Sequence, residues 1–232
     1  MARINLYQTP EHECPYLEDR ISVTQFIDPE RTPDIDLYTQ LTHYGFRRSG
    51  DHIYRPSCPE CDACQSIRLP VMDLKLTKSQ KRVRNSGRGF EVRVTRAVSS
   101  DEHYALYERY INERHKDGDM YPPSRELYDN FLLSEWAESF YLEIRNNDQL
   151  IACAVFDKLH DGYSAVYSFF EPDYPKLSLG TLCIIKQMEL IQTEGLLYLY
   201  LGYQIDGCRK MNYKTRFKPY QIYQDGLWLT QT

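Results

Sequence analysis

Three stretches of this chain carry residue types whose spacing suits them to chemistry. Ser178-Leu179-Gly180 stands where an aromatic, β-branched segment (Tyr163 to Phe170) and a Pro/Asp turn give way to a helical pattern. A glycine in the first turn of a helix lets a ligand approach free backbone N–H groups, where the dipole favours negative charge. A plain cap with a small packing residue has the same letters. Cys58, Cys61 and Cys64, spaced C-x2-C-x2-C, allow thiolates of one tight loop to converge on an ion, with Cys14 as a fourth ligand. Zinc and an iron-sulfur cluster both suit such a set, and free cysteines in a buried loop are the alternative. From Leu74 to Phe90, Lys75, Lys78, Lys81, Arg82, Arg84 and Arg88 occur without one acid. This one-signed cluster suits an RNA backbone, since Arg makes bidentate phosphate contacts; the alternative is a solvated basic helix. His115 has the pKa range of a general base, but its place at a helix end gives it an ordinary charge role first.

The elements that must position these residues follow from periodicity. Ser178 is a good N-cap, and Leu179, Leu182, Ile185, Met188, Glu189 and Ile191 form a mostly apolar helical face ending at Gly195. Leu196 to Leu201 follows as a strand. Upstream, Phe90 to Val94 alternates as a half-buried strand, and Ser99 to Asp101 caps a helix through His115. A second helix is expected from Ser124 to Glu138, and Phe140 to Arg145 and Leu150 to Asp157 as a hairpin. Asp206-Gly207 starts a last helix carrying Arg209, Lys210, Lys214 and Arg216, stopped by Pro219 before a final hairpin. Residues 1 to about 75, punctuated by prolines, read as a small irregular lobe with a helix from Asp36 to Tyr44 and a hairpin carrying Arg47, Arg48 and Arg55.

Composition narrows the class. With 232 residues, 42% of them hydrophobic, and twenty tyrosines, the chain can fill a sizeable core in one or two units. No apolar run approaches the roughly 18 residues of a membrane helix, and no signal-peptide pattern opens the chain, so a cytoplasmic protein without membrane partners is expected. A net charge of -5 argues against indiscriminate nucleic-acid coating, which leaves a local patch. Seven cysteines, three of them clustered, suit a reducing compartment better than a disulfide framework.

The resulting order β, α, α, β, β, β, α, β, α, β, β resembles the Gcn5-related N-acetyltransferase fold, which implies an acyl donor held in a splay between two central strands. The words YLGYQIDGCRKMNYK and CPECDACQSIRLPV resemble the arginyl-tRNA protein transferases, and within them the bacterial aspartate/glutamate leucyltransferases. The likeness runs from Cys14 to Leu229. It implies an α+β protein with a small irregular cysteine-containing N-terminal lobe (1–88) and a mixed α/β, acetyltransferase-like catalytic domain (89–232). In eukaryotic members an upstream paired-cysteine word takes part in iron-sulfur binding; here Leu17 stands where the second cysteine would be. No organic cofactor is implied.

The activity implied is transfer of an aminoacyl group, leucine by the bacterial likeness, from charged tRNA to the α-amine of proteins starting with Asp or Glu, marking them for N-degron degradation. Tyr203 is then a candidate oxyanion donor or adenosine-positioning group, and Asp206 a group that steers the amine. Lys214, Arg216 and Arg82 are candidates for the acidic acceptor residue. Ser178, Leu179 and Gly180, with Lys75, Lys78, Lys81, Arg84 and Arg88, are candidates for the aminoacyl-tRNA. Tyr167, Phe169 and Phe170 offer an apolar wall, although alternation sends some of them into the core. Arginyl transfer, an acetyl-CoA-dependent N-acetyltransferase and a non-enzymatic zinc or RNA-binding module are the competing readings. Pro172-Asp173-Tyr174-Pro175-Lys176 lacks the basic, glycine-rich character of a pyrophosphate loop.

Overall fold

Eight strands form one twisted sheet whose single parallel pair is wedged open at one end. A computed structural model describes residues 4–118, 120–208 and 211–232, so the expected roles of Arg209 and Lys210 lie outside the described residues. The N-terminal part contains β1 (Leu6–Gln8), β2 (His12–Glu13), β3 (Ile21–Ser22), β4 (Thr24–Ile27), α1 (Ile35–His43), β5 (Arg47–Ser49) and β6 (His52–Pro56). The Asp34 side chain accepts from the Leu37 amide and starts α1. Strands β1, β4, β6 and β5 make a four-stranded antiparallel sheet over Tyr38, Leu41, Phe46 and Ile53.

β7 (Gln65–Pro70) leaves this part and enters the large sheet. α2 (Lys78–Ser86) carries a reciprocal cap in which Thr77 and Gln80 each satisfy the other's backbone amide. β8 (Glu91–Arg96), α3 (Asp101–Arg114), α4 (Arg125–Leu132), β9 (Ser139–Asn146), β10 (Gln149–Lys158) and β11 (Gly162–Phe170) follow, then α5 (Leu179–Glu194), β12 (Tyr198–Gln204), β13 (Tyr220–Gln224) and β14 (Leu227–Gln231). The sheet order is β14-β13-β7-β12-β11-β10-β9-β8. β10 reads as an unbroken apolar run because both faces are covered. Ile151, Ala152, Ala154 and Phe156 meet α5, while Leu150, Cys153 and Val155 meet α3 and α4. No helix among the described residues is long and apolar enough to cross a membrane.

β11 and β12, linked by α5, pair in parallel only over Gly162–Ser164 and Tyr198–Tyr200. A Cβ on Gly162 would stand 1.9 Å from the Tyr198 carbonyl oxygen, so the paired end demands glycine. Beyond Ser164 and Tyr200 the strands separate, the splay that the fold likeness implied.

Several local expectations differ. β8 is exposed along its whole length, with Val92 and Val94 at 38% and 44%, because it is the outermost strand and no element covers its outer face. α4 stops at Leu132: Ser134, Glu135 and Trp136 instead bind Asp51 in the β5–β6 turn. After Asp206-Gly207, the described residues form turns and a 3-10 segment at Lys214–Arg216 rather than a helix. Its amides bond three residues back, from Lys214 to Met211 and from Arg216 to Tyr213. Glu189 pairs with Lys186 rather than extending the apolar face of α5.

Candidate functional site

The start of α5 is open. Ser178 adopts a left-handed conformation (φ 51°, ψ 50°) and its side chain makes no cap hydrogen bond, contrary to the expected N-cap. The twist lets its carbonyl accept from the Leu182 amide while its side chain is carried away from the first-turn amides. A non-glycine residue held at positive φ stores of order 1 kcal/mol, a pattern common at ligand sites. The first-turn amides therefore lack a serine cap, and a cleft of about 560 Å3 opens onto them.

That cleft occupies the splay. Ala165, Tyr167 and Phe170 come from β11, Leu201 from β12, and Gly180, Ile184 and Gln187 from one face of α5 at helical spacing. Tyr110 from α3 and His115, which caps that helix, close the far wall. Phe170 packs 4.7 Å from the Tyr110 ring, whereas Phe169 points to the other face and is fully buried against Tyr107 and Tyr128. Gln187 is 1% exposed; its amide nitrogen donates to the Cys183 carbonyl, and its Oε1 has no protein partner.

Lys214 enters from the opposite side, buried, with its Nζ donating to the main-chain carbonyl of Tyr203. Its pKa falls to about 8, first because burial penalises the ammonium and second because Arg47 repels it. Among the described lining residues there is no Asp or Glu.

The predicted residues divide between places. Ser178, Leu179, Gly180 and Lys214 meet in the cleft. Tyr203 does not: its hydroxyl donates to the carbonyls of Gly45 and Tyr54, and its side chain lines a different cavity. Its single proton is committed to those carbonyls, which removes it as an oxyanion donor in this arrangement. Asp206 lies exposed in its turn, and Arg216 is exposed while its neighbour Lys214 turns inward. Arg82 is exposed on α2, outside the cleft lining. Lys75, Lys78, Lys81 and Arg88 are also exposed, Arg84 is half-buried, and none of the six makes an ion pair among the described residues. Gln80 ties this basic helix to the Lys214 turn by donating to the Arg216 carbonyl, 3.0 Å away.

The four cysteines line the second cavity, of about 470 Å3. Burial pushes the Cys64 thiol up to about 12, and the other three cysteines and Cys208 add to the rise. Cys58 lies 3.8 Å from the Val23 carbonyl oxygen as a thiol donor. Among the described residues no three His, Cys, Asp or Glu side chains are grouped so that they could hold a metal ion.

Tyr110, Ile184, Gln187 and Leu201, which line the cleft, and Arg47, which repels Lys214 from behind it, were not singled out as site residues by the sequence. Gln187 left a trace there, a lone amide in an apolar stripe seven residues after Gly180; Arg47 left none that distinguishes it from Arg48.

Comparison with known proteins adds the chemistry. The family model described as Arginine-tRNA-protein transferase, C terminus, matches residues 102–224, and the corresponding N-terminus model matches residues 12–82. The chain is 48% identical over 231 residues to the aspartate/glutamate leucyltransferase of Saccharophagus degradans, covering 99% of this chain and 98% of that one. It is 46% identical over 224 residues to that of Hahella chejuensis, covering 97% and 96%. Among solved structures, FemX aligns with a TM-score of 0.45 at 8% identity, over 88% of this chain and 80% of that one.

Proposed function

The chain belongs to the arginine-tRNA-protein transferase family, and on that premise we propose that it moves leucine from leucyl-tRNA to the α-amine of proteins starting with Asp or Glu. The observation that carries the choice of leucine is the lining of the cleft. Tyr110, Phe170, Ile184 and Leu201 offer an apolar wall, and no carboxylate among the described lining residues would neutralise an arginyl guanidinium. An arginine side chain there would be desolvated beside Lys214 and Arg114 without a counterion.

In the reaction, the neutral amine nitrogen attacks the ester carbonyl carbon, the new C–N bond forms, and the C–O bond to the terminal ribose breaks. The proton lost by nitrogen ends on the ribose oxygen. An α-amino group has a pKa of about 7.7 to 8.0, so part of it is neutral near pH 7 and a strong base is not required. The acceleration comes from holding amine and carbonyl at about 3 to 3.5 Å and from donors for the developing oxyanion. The open amides of α5 suit that second role. The exposed cations of α2 suit the RNA backbone, one hydrogen bond away from the turn that carries Lys214. Such marking of acidic N-termini for degradation takes place in the cytoplasm, where charged tRNA is available.

The test supplies purified protein with separately labelled leucyl-tRNA and arginyl-tRNA and a Glu-starting peptide. Leucine transfer should exceed arginine transfer by about 100-fold or more, since a buried charge left uncompensated costs about 3 kcal/mol or more. Equal transfer of both would defeat the assignment of the donor.

A further inference from the structure

We propose that Arg47, acting with Lys214, reads the side-chain carboxylate of the acceptor's first residue. The proposal rests on the acceptor chemistry just given and assigns it to a residue of the N-terminal part.

Arg47 and Arg48 are adjacent in β5, so their side chains leave on opposite faces. Arg48 is fully satisfied: it bonds both oxygens of Asp157 at 2.7 Å and donates to Gly50, Leu132 and Ser139. Arg47 is also buried, at 5% exposure, but among the described residues its Nη2 donates only to the Ala165 carbonyl and its buried Nη1 has no partner. Lys214, at 8% exposure, has its carbonyl bond to Tyr203 and no carboxylate. Neither cation makes an ion pair among the described residues. Asp157, which pairs with the adjacent Arg48, is engaged by that guanidinium, Tyr38 and Ser139.

The two cations converge at one point. A Cβ built on Gly202 would stand 3.8 Å from Arg47 Nε, 3.8 Å from Lys214 Nζ and 3.9 Å from Arg47 Nη2. Gly202 has φ +84°, and the glycine leaves that space free. Ala165, which anchors Arg47, is the first β11 residue past the paired register, and Gly202 lies two residues past Tyr200 on β12. Ala165, Leu201 and Lys214 line the cleft at this end of the splay, and Arg47 stands behind that lining, held to the Ala165 carbonyl.

Two buried positive charges without a counterion are unfavourable until an anion arrives, and the unpaired Nη1 supplies a donor for it. A carboxylate matches the charge and the donors that Arg47 and Lys214 present. A phosphodiester carries flanking riboses and meets exposed cations on α2 instead. The fork of Arg47 fixes the plane of the carboxylate, while the flexible stem of Lys214 follows its depth, so Asp and Glu can both bind. An Asn or Gln amide would turn an N–H2 donor toward one of the cations.

The experiment compares Glu-starting and Gln-starting peptides as acceptors of labelled leucine from leucyl-tRNA, in wild type and in Arg47→Gln. Wild type should prefer Glu, and Arg47→Gln should reduce that preference at least about tenfold, mainly through KM. A folded variant with the wild-type preference overturns the role. So does an equal loss for both peptides accompanied by weaker tRNA binding, which would make the site a reader of RNA. Arg47→Lys keeps the charge if Arg47→Gln does not fold; it should raise KM for the Glu peptide more than for the Gln peptide, and equal changes overturn the proposal. Wild type that transfers leucine to neither peptide defeats the functional reading itself, and the role of Arg47 with it.

Discussion

A Cβ built on Gly180 would stand 3.2 Å from Cε1 of Phe170, so the last residue of β11 roofs the first turn of α5 and leaves room for a hydrogen atom but little more. Gly180→Val would put branched carbon between the ring and the open amides. It should lower kcat/KM for leucyl-tRNA at least about tenfold while the melting temperature stays within a few degrees. Steady-state transfer at varied leucyl-tRNA measures this, and undiminished transfer would remove the helix start from the donor site.

Lys214 gives a prediction about stability. Its proton leaves at about pH 8 in the folded chain, chiefly because of burial, whereas an unfolded lysine holds its proton to about 10.4. Between those values the unfolded chain binds more protons, so stability rises with pH across that window, and the penalty is present in full below pH 8. Lys214→Met should therefore raise stability at pH 7 by about 1 to 3 kcal/mol, with the gain fading towards pH 10. Melting curves at both pH values decide the matter; a lower melting point at pH 7 would contradict the reading.

The Arg48–Asp157 pair is structural. Asp157 is fully buried and accepts from Arg48, Tyr38 and Ser139, which joins β5 and α1 to β10. Asp157→Asn leaves the Arg48 charge uncompensated and should cost about 3 to 5 kcal/mol, roughly 10 °C for a chain of this length. Urea denaturation provides the measurement, and a loss below about 1 kcal/mol would show that the pair is relieved by water.

The basic face of α2 should reveal itself through salt. Lys78 and Lys81 are exposed and unpaired among the described residues. Changing both to Ala should flatten the slope of log affinity for tRNA against log salt by about 1.5, at roughly 0.7 to 0.9 for each phosphate that is no longer neutralised. An identical slope would move the RNA to another surface.

Much of this fold was legible from local pattern. The strand, loop and helix around Ser178, the stop at Gly195 and the order of elements from β8 to β12 follow from periodicities and turn residues that act within a few positions. The acid-free run that became α2 stood out by its charge, with a helix as one of two readings, while the reciprocal cap of Thr77 and Gln80 that starts it is a finding of the structure.

Where local preference and long-range contact competed, the sequence misled. Ser178 has the letters of a cap, yet the loop ahead of it arrives with a positive φ that carries the hydroxyl away. The alternation of β8 promises a covered face, but its place at the end of the sheet order leaves it exposed. Tyr203 sits in a word that suggests chemistry, and the carbonyls of Gly45 and Tyr54, remote in sequence, take its proton.

By itself the sequence determined the inventory: a helix start opened by glycine, a basic helix, a cysteine loop, and the words that carry the family likeness. Tertiary structure alone decided which of two adjacent arginines is neutralised and which meets no acid among the described residues. Asp157 lies 109 residues from Arg48 and Ala165 lies 118 from Arg47, separations at which strand register, rather than neighbouring residues, determines what each side chain meets.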